Sequence, residues 1–365
     1  MNQEDLTKYV TQSLNMVLGS DGASSYTNSF TVKIRKDGVL VIPRLPAGYL
    51  IDTNFYQKIY KVLNIALYPS FTMLKQNSIY LVPLNSKDIH VNRALFFPWV
   101  KGIPRRLVIP NLETFINEEV SNNVIPLMEN YQIDYGKTVG IAIAGSSGSG
   151  KSTALVYILE CVYRLLGKNE DPLRNLTVID PKIDTPSRWA RQREIRCIYP
   201  TENRSKDDFL SQVNSELDRL LKLILKRQKL LYDNPRRQFS RVTLVIDEVA
   251  SLTEGVSKNV KNDFFALLSQ VCLLMRSANV CLVLVAQRFD YSVIPVSCRE
   301  QLSVNIQLGK ISKKTTAFLF DDLDPDGIII PSGKGTGLIQ VNDNEHPTQV
   351  FPLLMPTYYM KGNIL

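Results

Sequence analysis

The sequence predicts an α/β protein, a largely parallel sheet layered with helices and preceded by a smaller α/β module. Three observations carry this reading. Four short aliphatic runs, 139–144, 176–179, 242–246 and 280–286, are almost unbroken, as strands buried on both faces are. Helical periodicity separates them, and strand–helix alternation builds parallel sheets. The first of these runs leads straight into Gly145-Ser146-Ser147-Gly148-Ser149-Gly150-Lys151-Ser152, which fits GxxxxGK[ST] at every fixed position.

In chain order, 31–34 and 39–42 are β-rich and flank Arg35-Lys36-Asp37-Gly38, a hairpin turn. Asp52-Thr53 reads as an N-cap before Phe55, Ile59, Val62, Leu63 and Ala66, which recur at helical spacing. Residues 78–84, 95–100 and 106–109 read as further short strands between prolines and polar turns. None of this stretch carries recognisable chemistry. Residues 1–136 are therefore assigned to an accessory or partner-binding α/β module, and 137–365 to the second domain. There, strand 139–144 feeds the glycine-rich loop and a helix over 153–166. After strand 176–179, Leu210, Val213, Leu217, Leu220, Leu221, Ile224 and Leu231 spell a long helix with Arg219, Lys222, Lys226, Arg227 and Lys229 on its polar face.

Composition narrows the class. The chain has 365 residues, 44% hydrophobic and 21% charged, with 18 Gly and 19 Pro, which excludes collagen-like, disordered and disulfide-scaffold proteins. The longest wholly apolar run, 280–286, has seven residues; a membrane span needs about 20, so no integral membrane segment is expected. The N-terminus is acidic and lacks the apolar stretch of a signal peptide. Five cysteines, Cys161, Cys197, Cys272, Cys281 and Cys298, contain no CxxC; reduced core thiols in a cytoplasmic protein are expected. His90 and His346 lie far apart, which argues against a histidine metal site. Net charge is +8, and residues 182–241 hold 15 Lys and Arg against 8 Asp and Glu, so +7 lies in 60 residues. Such an excess suits a polyanion, and a solvated helical face with a basic loop explains the same count.

The glycine-rich loop lies between a strand and a helix, the context that its chemistry requires. Glycines let successive backbone N–H groups turn toward a β-phosphate, and the helix N-terminus adds partial positive charge. Lys151 then bridges β- and γ-phosphates, the Ser152 hydroxyl ligates Mg²⁺, and Thr153 completes the cradle. ATP and Mg²⁺ are the cofactors implied. The strand 242–246 ends in Asp247 and Glu248, one carboxylate to hold Mg²⁺ and one to polarise a water. A glutamate there argues for hydrolysis and against a small-molecule kinase. The strand 176–179 intervenes in sequence between these two motifs. The strand 280–286 ends in Gln287, whose amide is suited to sensing the γ-phosphate or the lytic water. Arg276 precedes that strand, at the end from which it would reach a neighbouring subunit's nucleotide. A polar strand end and an ordinary helix-end cation remain the alternatives for these two residues.

With Ile179-Asp180-Pro181-Lys182, Leu284-Val285-Ala286-Gln287-Arg288 and the turn Ser332-Gly333-Lys334-Gly335-Thr336-Gly337, these motifs resemble the FtsK/SpoIIIE branch of the FtsK–HerA superfamily over roughly residues 125–350. The resemblance implies a P-loop NTPase motor core, RecA-like and of the additional-strand, catalytic-glutamate type. It implies an ATP hydrolase acting on double-stranded DNA as a homo-hexamer. Lys151, Ser152, Asp247, Glu248 and Gln287 map onto nucleotide-site positions, and Arg276 onto the arginine that coupling proteins present in trans. Chromosomal members carry membrane spans and a C-terminal winged-helix domain, features not found in this sequence. That departure favours a small coupling ATPase of a conjugative or mobile element, docked through residues 1–136 to a relaxase or secretion-channel protein. A secretion or assembly motor, a single-strand helicase and a nucleotide-gated scaffold are the competing readings. Arg188, Arg191, Arg193, Arg196, the 226–229 cluster, Arg236, Arg237 and Arg241 are candidates for the DNA-facing or interface surface.

Overall fold

The structure is a computed structural model and describes residues 2–19, 30–44, 51–169, 172–320, 323–342 and 349–360. The chain forms two compact units. The first comprises residues 1–104, 322–330 and 348–352, and the second the rest.

In the first unit α1 (Gln3–Gly19) precedes β1 (Phe30–Ile34) and β2 (Gly38–Pro43), followed by α2 (Thr53–Leu67), β3 (Phe71–Met73), β4 (Leu81–Pro83) and β5 (Arg93–Lys101). β1 and β2 form the expected antiparallel hairpin, closed by Arg35 N–H donating to Gly38 O at 2.8 Å. β5 is the hub, pairing antiparallel with β2, β3 and β4. Asp52 caps α2 by accepting from Phe55 N–H at 2.8 Å. Ile59, Leu63 and Leu67 of α2 pack with Val10 and Leu14 of α1 and Val39, Leu95 and Phe97 of the sheet. α1 and β3 have no counterpart among the elements expected from sequence.

The second unit opens with β6 (Val108–Ile109), α3 (Leu112–Glu119) and the hairpin β7 (Val124–Met128) and β8 (Tyr131–Asp134). The expected boundary at residue 136 therefore falls inside this unit. There follow β9 (Gly140–Gly145), α4 (Lys151–Asn169), α5 (Pro172–Asn175), β10 (Leu176–Ile179), α6 (Thr185–Gln192), β11 (Arg196–Ile198) and α7 (Lys206–Asp233). Next come β12 (Val242–Ile246), α8 (Val249–Thr253), α9 (Lys258–Leu274), β13 (Val280–Ala286), α10 (Val296–Arg299) and β14 (Val304–Leu308). The chain continues through α11 (Lys313–Thr316), β15 (Thr336–Val341), β16 (Val350–Leu354) and β17 (Thr357–Tyr358).

Seven of the eight strands of the main sheet lie wholly in this unit, in the order β11-β10-β12-β13-β9-β14-β15. All pairings from β11 to β14 are parallel, and β15 runs antiparallel to β14. Every residue of β9, β10, β12 and β13 is buried, as the unbroken aliphatic runs required. The strand that stands between β9 and β12 in space is β13, while β10 lies beyond β12.

The cysteine expectation is corrected in part. The helices α9 and α10 bring the Cα atoms of Cys272 and Cys298 to 5.1 Å, within bridging range, and the two form a disulfide. Cys161 and Cys281 are buried thiols and Cys197 is a half-buried one. Among the described residues no helix is long and apolar enough to cross a membrane, and no three His, Cys, Asp or Glu cluster as a metal site. His346 lies outside the described residues.

Candidate nucleotide site

The site is built where β9, β12 and β13 end side by side. β9 passes at Gly145 into a tight loop, in which Ser149 N–H donates to Ser146 O at 3.2 Å, and the loop enters α4 at Lys151. Gly148 and Gly150 take φ of 76° and 101°, the left-handed region that a side chain would strain. Lys151 arches back over the loop, its Nζ donating to Gly145 O at 2.6 Å and Ser146 O at 3.0 Å. Burial pulls the Lys151 pKa down, against the nearby charges of Glu248 and Asp247.

Asp247 follows the last residue of β12, its N–H held by Ile179 O of the adjacent strand at 2.9 Å. Burial pushes its carboxyl up to about 7, helped by the negative charges of Asp180 and Glu248. Glu248 adopts φ 44° and ψ 63°, a left-handed conformation for a residue with a side chain. Backbone strain of this kind concentrates at functional sites. Its Oε2 accepts from Lys182 Nζ at 2.9 Å, and its Oε1 accepts from the Gln287 N–H at 3.3 Å.

These groups converge on one cavity of about 220 Å³. Ser147, Gly148, Gly150, Lys151, Ser152 and Thr153 of the loop and α4 line it together with Asp247, Glu248 and Gln287. Gly145, Ser146 and Ser149 form the base of the loop behind that lining, where Ser149 O accepts from Gly335 N–H at 2.9 Å. Arg276 is not among the lining residues. It is exposed before the opposite end of β13, whose seven residues span roughly 23 Å at about 3.3 Å each. The cavity also takes in Lys182, Asp184 and Lys334, which were not assigned to the site from sequence. Lys182 lies in the Asp-Pro-Lys signature and Lys334 in the glycine turn, so both carried a signal. Asp184 carried none.

The donor set suits Mg²⁺. Ser152 offers a hydroxyl and Asp247 a carboxylate in the lining of one cavity, hard oxygen ligands in the small number that Mg²⁺ takes beside phosphate and water. The raised pKa of Asp247 marks a carboxylate that a cation would stabilise in its ionised form.

The basic segment is more committed than its charge count suggested. Arg227 is buried, donating to Ser240 O and Ala278 O at 2.7 Å each. Arg241 donates to Gly136 O, Thr138 O and the Asn279 side chain, with its guanidinium over the Tyr135 ring. Arg193 pairs with buried Glu160, and Arg196 and Arg219 with buried Glu216. These are internal ties, which corrects the expectation that Arg227 and Arg241 are candidates for the DNA-facing or interface surface. Arg191, Lys226, Lys229, Arg236 and Arg237 are exposed.

Fold and site together define a P-loop NTPase, with the strand β13 standing between the phosphate-binding loop and the Asp-Glu strand. No protein-family model matches the chain. Among curated proteins it is similar to the FtsK domain-containing protein YdcQ of Bacillus subtilis, 22% identical over 209 residues, 56% of this chain and 41% of that one. It is also similar to DNA translocase FtsK of Treponema pallidum, 25% identical over 229 residues, 60% of this chain and 27% of that one. The chain thus spans less than half the length of these two relatives. Among solved structures, the pCW3 conjugation coupling protein TcpA, determined with ATPγS, matches 95% of this chain and 94% of its own at a TM-score of 0.52 and 18% identity. ATPases 2 and 3 of EssC from Geobacillus thermodenitrificans match 70% of this chain and 48% of theirs at 0.50 and 16%. These structural likenesses establish the fold.

Proposed function

We propose that this chain is an ATP-driven motor that moves double-stranded DNA for a mobile genetic element, hydrolysing ATP at the interfaces of a homo-hexamer. The observation that carries the reading is the convergence of Lys151, Ser152, Asp247, Glu248 and Gln287 on one cavity. The DNA substrate is supported by the relatives, one of which is a DNA translocase, and the mobile-element role by the likeness to a conjugation coupling protein.

The chemistry follows from the residues. Backbone N–H groups of the glycine loop and the N-terminus of α4 receive the β-phosphate, and Lys151 leaves its loop carbonyls to bridge β- and γ-oxygens. Ser152 and Asp247 would hold Mg²⁺, which when bound neutralises charge on the phosphate oxygens. Glu248 accepts a proton from the attacking water. Gln287 stands at the end of β13, between the two, where its amide reads whether a γ-phosphate is present. Arg276 acts on the nucleotide of a neighbouring subunit, so only an assembled interface is competent. Exposed cations such as Arg236 and Arg237 supply sequence-independent, salt-sensitive phosphate contacts. Within residues 1–136, the first 104, which belong to a compact unit of their own, dock a relaxase or secretion-channel protein.

The reading is tested by ATPase assays with duplex DNA and by triplex displacement. Duplex DNA should stimulate hydrolysis several-fold, and Glu248→Gln should remove about 10²–10⁴-fold of the rate. A protein that hydrolyses ATP yet never displaces a third strand is not a duplex translocase.

A further inference from the structure

We infer that Lys182 is a positioning residue that restrains Glu248 between turnovers, and that loss of this contact frees the glutamate to act on water. The inference rests on the proposed role of Glu248 as the proton acceptor.

Glu248 is buried, with 6% of its surface exposed, and its left-handed backbone fixes the direction in which the side chain leaves the turn. Both carboxylate oxygens are engaged, Oε2 by Lys182 Nζ at 2.9 Å and Oε1 by the Gln287 N–H at 3.3 Å. An oxygen accepting from an ammonium has one lone pair committed, and the contact holds the carboxylate turned toward the lysine instead of toward a water. The two restraints differ in kind. The Gln287 N–H belongs to the backbone at the end of a wholly buried strand and has little freedom to withdraw. The Lys182 side chain is 45% exposed, on a flexible four-carbon stem. Lys182 is the contact that can let go.

The turn that delivers Lys182 is itself firmly built. Asp180 is fully buried and accepts from the N–H groups of Lys182 at 2.9 Å, Asp184 at 2.8 Å and Ser187 at 3.2 Å, and from the Ser187 hydroxyl at 2.6 Å. Folding the turn around a buried carboxylate aims the lysine at Glu248. The same turn runs on into α6, which exposes Arg191 to solvent. A ligand that moves α6 therefore moves the restraint.

The test measures steady-state ATPase of Lys182→Met, Lys182→Gln and Lys182→Arg, with and without duplex DNA, together with affinity for ATPγS. Released from a half-exposed ion pair, Lys182→Met and Lys182→Gln should raise basal kcat about 2- to 5-fold, with ATPγS affinity unchanged within twofold. Stimulation by DNA should shrink by the same factor, and Lys182→Arg should restore the low basal rate. A fall in kcat would show that the lysine serves the reaction, and weaker ATPγS binding with kcat unchanged would make it a phosphate ligand. Either result overturns the restraint. Glu248→Gln is assayed alongside; hydrolysis surviving that change would instead overturn the reading of the site. The basal-rate comparison needs no DNA, so an absence of DNA stimulation would count against the proposed substrate and leave the Lys182 result standing.

Discussion

The two ends of the central strands of the second unit are built on opposite principles. At the carboxyl ends of β9, β12 and β13 the structure gathers like charges and strained backbone: Asp247 with its carboxyl pushed up to about 7, and Glu248 at φ 44°. At the amino ends two arginines are tied to backbone and side-chain acceptors. Arg241 ties Gly136 and Thr138 before β9 to Asn279 before β13, and Arg227 holds Ser240 before β12 and Ala278 before β13. One end carries stored instability, and the other supplies rigidity against which it is held. Arg276 is the exception, an exposed arginine in the well-tied end.

The largest expected effect tests that exception. Arg276→Ala should lower hydrolysis by about 10³-fold while ATPγS affinity is kept, because the residue lies far from its own cavity. Mixing Arg276→Ala with Glu248→Gln subunits should restore part of the rate, since some interfaces then combine an intact glutamate with an intact arginine. No recovery in mixed assemblies would place Arg276 with the structural cations of its own end. A smaller effect is expected for Arg227→Met, which leaves two carbonyls without their donor and should cost about 2–3 kcal/mol of stability. Urea unfolding reads this directly; an unchanged midpoint would mean that the amino ends do not depend on this tie.

The third effect has the opposite sign. Because the folded-state pKa of Asp247 is raised from 3.8 to about 7, the folded protein binds more protons than the unfolded chain in that window. The stability is present at pH below the window and is lost as pH rises through it. Asp247→Asn removes this loss, so the nucleotide-free variant should be more stable than the parent at pH 8 by up to about 4 kcal/mol, with the gain vanishing near pH 4. Melting curves at the two pH values check it, and a variant less stable at pH 8 would show that the carboxyl ends are not held under strain.

The site was legible in sequence where its parts are local. Gly145 to Thr153 are consecutive, and Asp247, Glu248 and Gln287 each follow a buried strand. Lys182 and Lys334 lie in motifs visible in the sequence, but their place at the cavity depends on β10 lying beside β12 and Gly335 against Ser149. The charge excess in 182–241 was read correctly as a number, but its burial was not. The acceptors that neutralise it are carbonyls at strand ends, together with Glu160 and Glu216, whose burial no local pattern announces. The same limit applies to Cys272 and Cys298, 26 residues apart and joined only by helix packing.

The strand β13 acts as a spacer. By standing between β9 and β12, it sets the glycine loop and the Asp-Glu pair two strand widths apart, about 9.5 Å. The cavity of about 220 Å³ opens across that spacing, with Lys151 and Glu248 both in its lining. The width of one strand thus sets how far the phosphate-binding loop stands from the carboxylates that face it across the sheet's edge.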